Sequence, residues 1–195
     1  MAAVRARAAA AIESATSVHS NWLDDSLLAC LRKRALKDET ATVRKAAVVA
    51  LNKACLSQPG LLSEQYIHTF CDLCHDSSLL TRKAAADSIT TLLEANLDHP
   101  VVGVLLEQSW SAYVLPMVLD EEVAPKAIAS FDRVVVSQII SSSPRTRTSQ
   151  ELPNPSLDAA WRLLAHVATV SGGQGTSKGS RQALQTALRQ LAQED

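Results

Sequence analysis

Two stretches of this chain carry the same four residues at the same point of a helical pattern: Arg44-Lys45-Ala46-Ala47 within ETATVRKAAVVAL, and Arg82-Lys83-Ala84-Ala85 within SSLLTRKAAADSI. In the first copy Val43, Ala46, Ala47, Ala50, Leu51 and Ala54 recur at the spacing of one continuous α-helical stripe. The second copy offers Ala84, Ala85, Ile89, Leu92 and Leu93 on the corresponding stripe. Small residues lead each stripe, so another helix can approach closely there. Upstream of each lies a further amphipathic segment, roughly 22–36 with Trp22, Leu23, Leu27, Leu28, Leu31 and Leu36, then roughly 61–75 with Leu61, Leu62, Tyr66, Ile67, Phe70, Leu73 and Cys74.

Each unit is thus a pair of helices joined by a short turn carrying Asp38 or Asp76. One pair alone leaves an apolar face uncovered, and stacking consecutive pairs makes the core continuous. The predicted fold is all-α, an α-α superhelix. Two more units complete the pattern imperfectly. Val4, Arg5, Ala8 and Ile12 repeat the spacing of Val43, Arg44, Ala47 and Leu51, so the chain is expected to open in the second helix of a partial repeat, 1–18. Later, Val123, Ala127 and Phe131 fall in register, after a first helix around 101–118, with Ala124 in the place of the Arg. The expected array spans 1–140, with repeats at about 21–58, 61–97 and 101–140 after the partial one. Pro116 should end or kink its helix, whereas Pro125 suits a first turn. The polar, Pro-containing stretch 141–156 reads as a linker, 157–195 as additional helices, and SGGQGTSKGS at 171–180 as a flexible Gly-rich loop.

Composition agrees with helices: of 195 residues, 47% are hydrophobic but only 4% aromatic, and six are Gly. A formal net charge of −1 supplies no global field for nucleic acid or membrane, so any such contact must come from a local patch. No window is expected to approach the roughly 20 apolar residues that span a bilayer, which argues for no membrane partner. MAAVRARAAAAIES is too polar for a secretory leader, so the four thiols, Cys30, Cys55, Cys71 and Cys74, are expected to be reduced.

Chemistry-bearing motifs are sparse. CDLCH, Cys71 to His75, supplies half of a zinc site, but no second Cys-x-x-Cys exists, and core packing is the favoured role for both thiols. His19, His68, His75, His99 and His166 share no ligand spacing. There is no nucleophile elbow and no phosphate-cradling Gly-Lys-Ser/Thr loop. The reading is a protein that is not an enzyme, with no cofactor, no metal and no small-molecule substrate. Arg5, Lys45 and Lys83 begin successive second helices, and stacking would line them into a row that could meet DNA or another phosphate. Arg32-Lys33-Arg34 reads as a solvated face. Ser143, before Pro144 in a basic linker, is a candidate phosphorylation site whose added charge would pair with Arg145 or Arg147. Trp22, Trp110 and Trp161 sit in apolar stripes and are expected in the core.

A helix pair of about 40 residues, with Asp in the turn and Val-Arg in the second helix, resembles the HEAT repeat. Asp38 and Arg44 are six positions apart, as are Asp76 and Arg82, and the resemblance implies that these four side chains form a ladder of hydrogen-bonded ion pairs. Read together, CHDSSLLTRKAAADSITTLLEANLDHP, WSAYVLPMVLDEEVAPKAIASFDRVVV and LDAAWRLLAHV resemble the large HEAT-repeat regulatory subunits of condensin II. That resemblance implies a non-catalytic scaffold that binds kleisin and SMC subunits, contacts DNA, and serves chromosome condensation on mitotic chromosomes in the nucleus. The alternative is a general HEAT adaptor, such as a phosphatase scaffold or an importin-β-like transport receptor.

Overall fold

The computed structural model describes residues 1–18, 22–141, 154–169 and 177–194. Among the described residues there are helices and no strands, so the chain has the all-α, helical-repeat architecture that its periodicity predicts. It divides into two compact units, Met1–Ala95 and Asn96–Asp195.

In the first unit α1 (Ala2–Val18), α2 (Asp25–Lys37), α3 (Ala41–Ser57), α4 (Glu64–Leu73) and α5 (Leu79–Ala95) follow one another, with a 3-10 turn at Pro59–Leu61. Helices α2 and α3 form one pair and α4 and α5 the next; α1, α3 and α5 stack as one layer, and α2 packs on α4 in the other. Val43, Ala47 and Leu51 of α3 and Ile89, Leu92 and Leu93 of α5 are all 1% exposed or less. These lie on the stripes read from the repeat, while Ala46 and Ala84, read on the same stripes, are half-buried. Helix α1 packs against α3 with Ala9 and Thr16 buried, while Val4 and Ala8, placed on its stripe by spacing, are exposed. Helix α2 starts later than its apolar pattern, because Asp24 caps it by accepting the Leu27 amide at 2.7 Å. Trp22 therefore lies in the turn before the helix and is 41% exposed, not in the core.

The second unit is less regular. Helix α6 (Val102–Ser109) runs into a π turn at Trp110–Val114 and a 3-10 turn at Leu115–Leu119 before α7 (Ala124–Phe131). Pro116 has no amide hydrogen to continue the α ladder, and just before it the Leu115 amide reaches back five residues to the Trp110 carbonyl. Pro125 sits in the first turn of α7. A second π turn, Asp132–Val136, leads into the short α8 (Ser137–Ser141), and α9 (Pro155–Thr169) and α10 (Ser177–Glu194) complete the unit. Val123, Ala127 and Phe131 are each 1% exposed or less, as their counterparts Val43, Ala47 and Leu51 are. Trp110 stacks on Phe131 with ring centroids 6.5 Å apart and donates its indole N–H to Ser130 Oγ at 3.0 Å. Gly103 is required by close approach: a Cβ there would lie 2.6 Å from the Asn96 carbonyl oxygen.

Three expectations are corrected in this unit. Val102–Leu119 is long and apolar enough by composition to cross a membrane, contrary to the reading that no window approaches that length. Its packing is that of a core segment: 56% of it is buried, and it carries the ion-paired Glu107. Trp161 is 54% exposed, because α9 turns Ala159, Ala160, Leu163 and Val167 inward and leaves Trp161 outside that stripe. Finally, α9 begins at Pro155, where Asn154 Oδ1 accepts the Ser156 and Leu157 amides, and α10 begins at Ser177, inside the stretch read as a loop up to residue 180. Most of the expected linker, 142–153, and residues 171–176 of the expected loop lie outside the described residues.

Candidate functional site

The repeated Asp and Arg meet across repeats. Arg5 Nε and Nη2 donate to the two carboxylate oxygens of Asp38 at 2.8 and 2.9 Å, and Arg44 does the same to Asp76 at 2.8 and 2.8 Å. Arg44 Nη1 also donates to the Asp38 carbonyl at 3.0 Å, so one guanidinium ties its own turn to the next. Arg82 repeats the second half of the pattern, donating to the Asp76 carbonyl at 3.2 Å. Six residues is the distance from each Arg to the backbone of its own turn; the carboxylate partner belongs to the neighbouring repeat. Asp38 and Asp76 further accept the amides of Thr40 (3.1 Å) and Ser78 (2.7 Å), which fixes each turn.

The electrostatics follow the burial. The Asp38 side chain is 1% exposed, and hydrogen bonds from Arg5 hold its carboxyl down at about 2 against the opposing effect of desolvation. For Asp76, burial pushes the carboxyl up, but the bonds from Arg44 and from the Ser78 amide outweigh it and the net shift is downward. The Arg44–Asp76 pair is tightly enclosed, with side chains 12% and 10% exposed. Polar bonds also register neighbouring repeats away from the ladder: Arg32 Nε donates to Thr69 Oγ1 at 2.9 Å, and Asn52 Nδ2 to Thr91 Oγ1 at 3.2 Å. Spacing alone did not point to either.

Of the three candidate phosphate contacts, Arg5 is engaged by Asp38, while Lys45 is exposed and Lys83 half-buried in the first turns of α3 and α5. Ser143 lies outside the described residues. In the Arg32-Lys33-Arg34 run, Arg32 is occupied by Thr69 and Arg34 lies 3.5 Å from Asp38. Cys55, Cys71 and Cys74 are buried, Cys30 is exposed, and burial pushes the Cys55 thiol up to about 12 and the Cys74 thiol higher still. Among the described residues no three His, Cys, Asp or Glu side chains gather in a metal-ligating group.

The second unit holds an ion pair that the repeat pattern does not contain. Arg162 of α9 clamps Glu107 of α6 through three hydrogen bonds of 2.6 to 3.1 Å, and Glu107 is 8% exposed. A signal existed: Glu107 stands alone in the apolar run VVGVLLEQSW, and a carboxylate in such a run needs a partner.

Fold and site together define a class: stacked helix pairs whose neighbours are tied by a recurrent Arg-to-Asp rung. No protein family model matches the chain, and no solved structure matches it. Among characterised proteins, the chain is 34% identical over 115 residues to condensin-2 complex subunit D3-L of Xenopus laevis. That match covers 58% of this chain and 7% of the relative's length.

Proposed function

We propose that this chain is a non-catalytic HEAT-repeat scaffold segment of a condensin II complex, acting in mitotic chromosome condensation in the nucleus through contacts with kleisin and SMC subunits. The observation that carries the reading is the similarity to a condensin-2 subunit over more than half of the chain. The inter-repeat rungs support it, because paired charges of this kind orient neighbouring helix pairs and so hold an extended surface in shape. In this reading the array comprises the partial repeat 1–18 and repeats at about 21–58, 61–97 and 101–140; Asp38, Arg44, Asp76 and Arg82 are structural, and Lys45 and Lys83 are the residues available to DNA phosphates.

Affinity purification of the tagged chain from mitotic cells, with mass spectrometry of what accompanies it, tests the proposal. Recovery of SMC and kleisin subunits is the expected result. A phosphatase or a transport cargo in their place would keep the fold and discard the function. For the DNA contact, replacing Lys45 and Lys83 by Ala should weaken binding to duplexes of unrelated sequence alike and flatten the salt dependence by about one counterion per lysine.

A further inference from the structure

The second unit contains an open groove of about 740 Å³ that neither the ladder nor the condensin reading uses. One wall is the α7 stripe Ala124, Ile128 and Ala129; the other is Thr186, Gln190 and Leu191 of α10. On α7 Pro125 is followed by Ile128 and Ala129 three and four positions on, and on α10 Thr186, Gln190 and Gln193 recur at four and three, so the groove runs along two helices, and its volume is that of a binding cleft. The charges that line it are Glu121, just before α7, and Asp132, just after it; among the described residues no cation lines it. Leu119, also on its lining, is 42% exposed, while Ile128 is 9% exposed on the floor. Among the described residues the buried Gln190 side-chain carbonyl oxygen has no hydrogen-bond partner.

We infer that this groove docks an amphipathic, basic helix of a partner protein, with apolar side chains at i, i+4 and i+7 on the floor and two Lys or Arg at the acidic ends. A helix is the occupant that suits two flanking helical walls, and the small Ala124 and Ala129 let its backbone come close. The basic residues follow from the charge of the lining. Helix α7, eight residues and about 12 Å long at 1.5 Å per residue, lies between the two carboxylates, so the two cations stand about two turns or more apart on the occupant. This inference rests on the groove alone and is independent of the condensin reading.

The probe is a fluorescent Ala-Leu helical peptide of about five turns, carrying two Lys about eight positions apart on its leucine face, titrated into the full chain. Its twin carries Glu in place of both Lys. The Lys peptide should bind about tenfold more tightly than the twin, and added salt should narrow the gap. Glu121→Gln with Asp132→Gln should erase the preference. Ala129→Trp, at an exposed wall position, should weaken the Lys peptide about tenfold with the melting curve unchanged, whereas Gln108→Ala, outside the groove, should not. Equal affinity for both peptides, or full affinity in Ala129→Trp, overturns the proposal. So does a concentration-dependent dimer in sedimentation that Ala129→Trp dissolves, because the occupant would then be a second copy.

Discussion

The two units use paired charges in different ways. In Met1–Ala95 the pairs repeat: Arg5 with Asp38 and Arg44 with Asp76 join equivalent positions of successive repeats, in a geometry that recurs to within about a tenth of an ångström. In Asn96–Asp195 Glu107 of α6 pairs with Arg162 of α9 in a contact that repeats no rung of the first unit, and α6 leads into a π turn and a 3-10 turn where the α ladder is broken at Pro116. Regular stacking needs a rule that works at every junction, and a rung between turn and helix is such a rule. Irregular packing needs only a local solution, so Trp110 and Glu107 each find a separate partner there, Ser130 and Arg162.

The units should therefore fail differently. Trp110→Ala should have the largest effect, about 3–5 kcal/mol by denaturant unfolding, since a side chain 1% exposed is lost together with its stacking on Phe131. Phe70→Ala, fully buried in the first unit, should cost a similar amount, and the two should add, because they belong to different units.

Next comes Asp76→Ala, at about 2–3 kcal/mol, because Arg44 is left enclosed without its carboxylate. The double change Arg44→Met with Asp76→Leu should recover most of that loss, as an apolar pair replaces an ionic one. A double mutant no better than Asp76→Ala would show that the rung stabilises as well as orients. Glu107→Gln should cost less, about 1 kcal/mol, because the amide keeps its acceptor and Arg162 is half exposed to solvent.

The smallest effect is the pH dependence. Asp38 has a folded value of about 2 against an ordinary 3.8, so its stabilising contribution is complete above about pH 4 and is lost as pH falls toward 2. Melting temperature across that window should fall more steeply for the parent chain than for Arg5→Met, which has no guanidinium to lower the Asp38 carboxyl. Parallel curves would mean that the Arg5–Asp38 bond contributes nothing in solution.

Legibility followed regularity. The stripes of α3 and α5 could be read because a helix burying one face writes its period into the sequence, and the small Ala47, Ala50 and Ala54 are where the neighbouring helix comes close. The turn Asp and the helix Arg were visible as a spacing, but that spacing marks an Arg and its own turn's backbone, and the carboxylate it grips lies in the next repeat. Trp22 and Trp161 misled for a common reason. An apolar residue near a stripe fits the pattern even when a cap moves it outside the helix or the helix rotates it outward.

What the sequence by itself determined is the all-α repeat and the face of each regular helix that goes inside, because local periodicity and the burial of apolar stripes need no knowledge of distant residues. Only the tertiary structure decided which Asp each Arg holds, how Glu107 finds Arg162, and that α7 and α10 leave a groove between two carboxylates. Those depend on how helices far apart in the chain meet, and partner choice across such distances leaves no period to read.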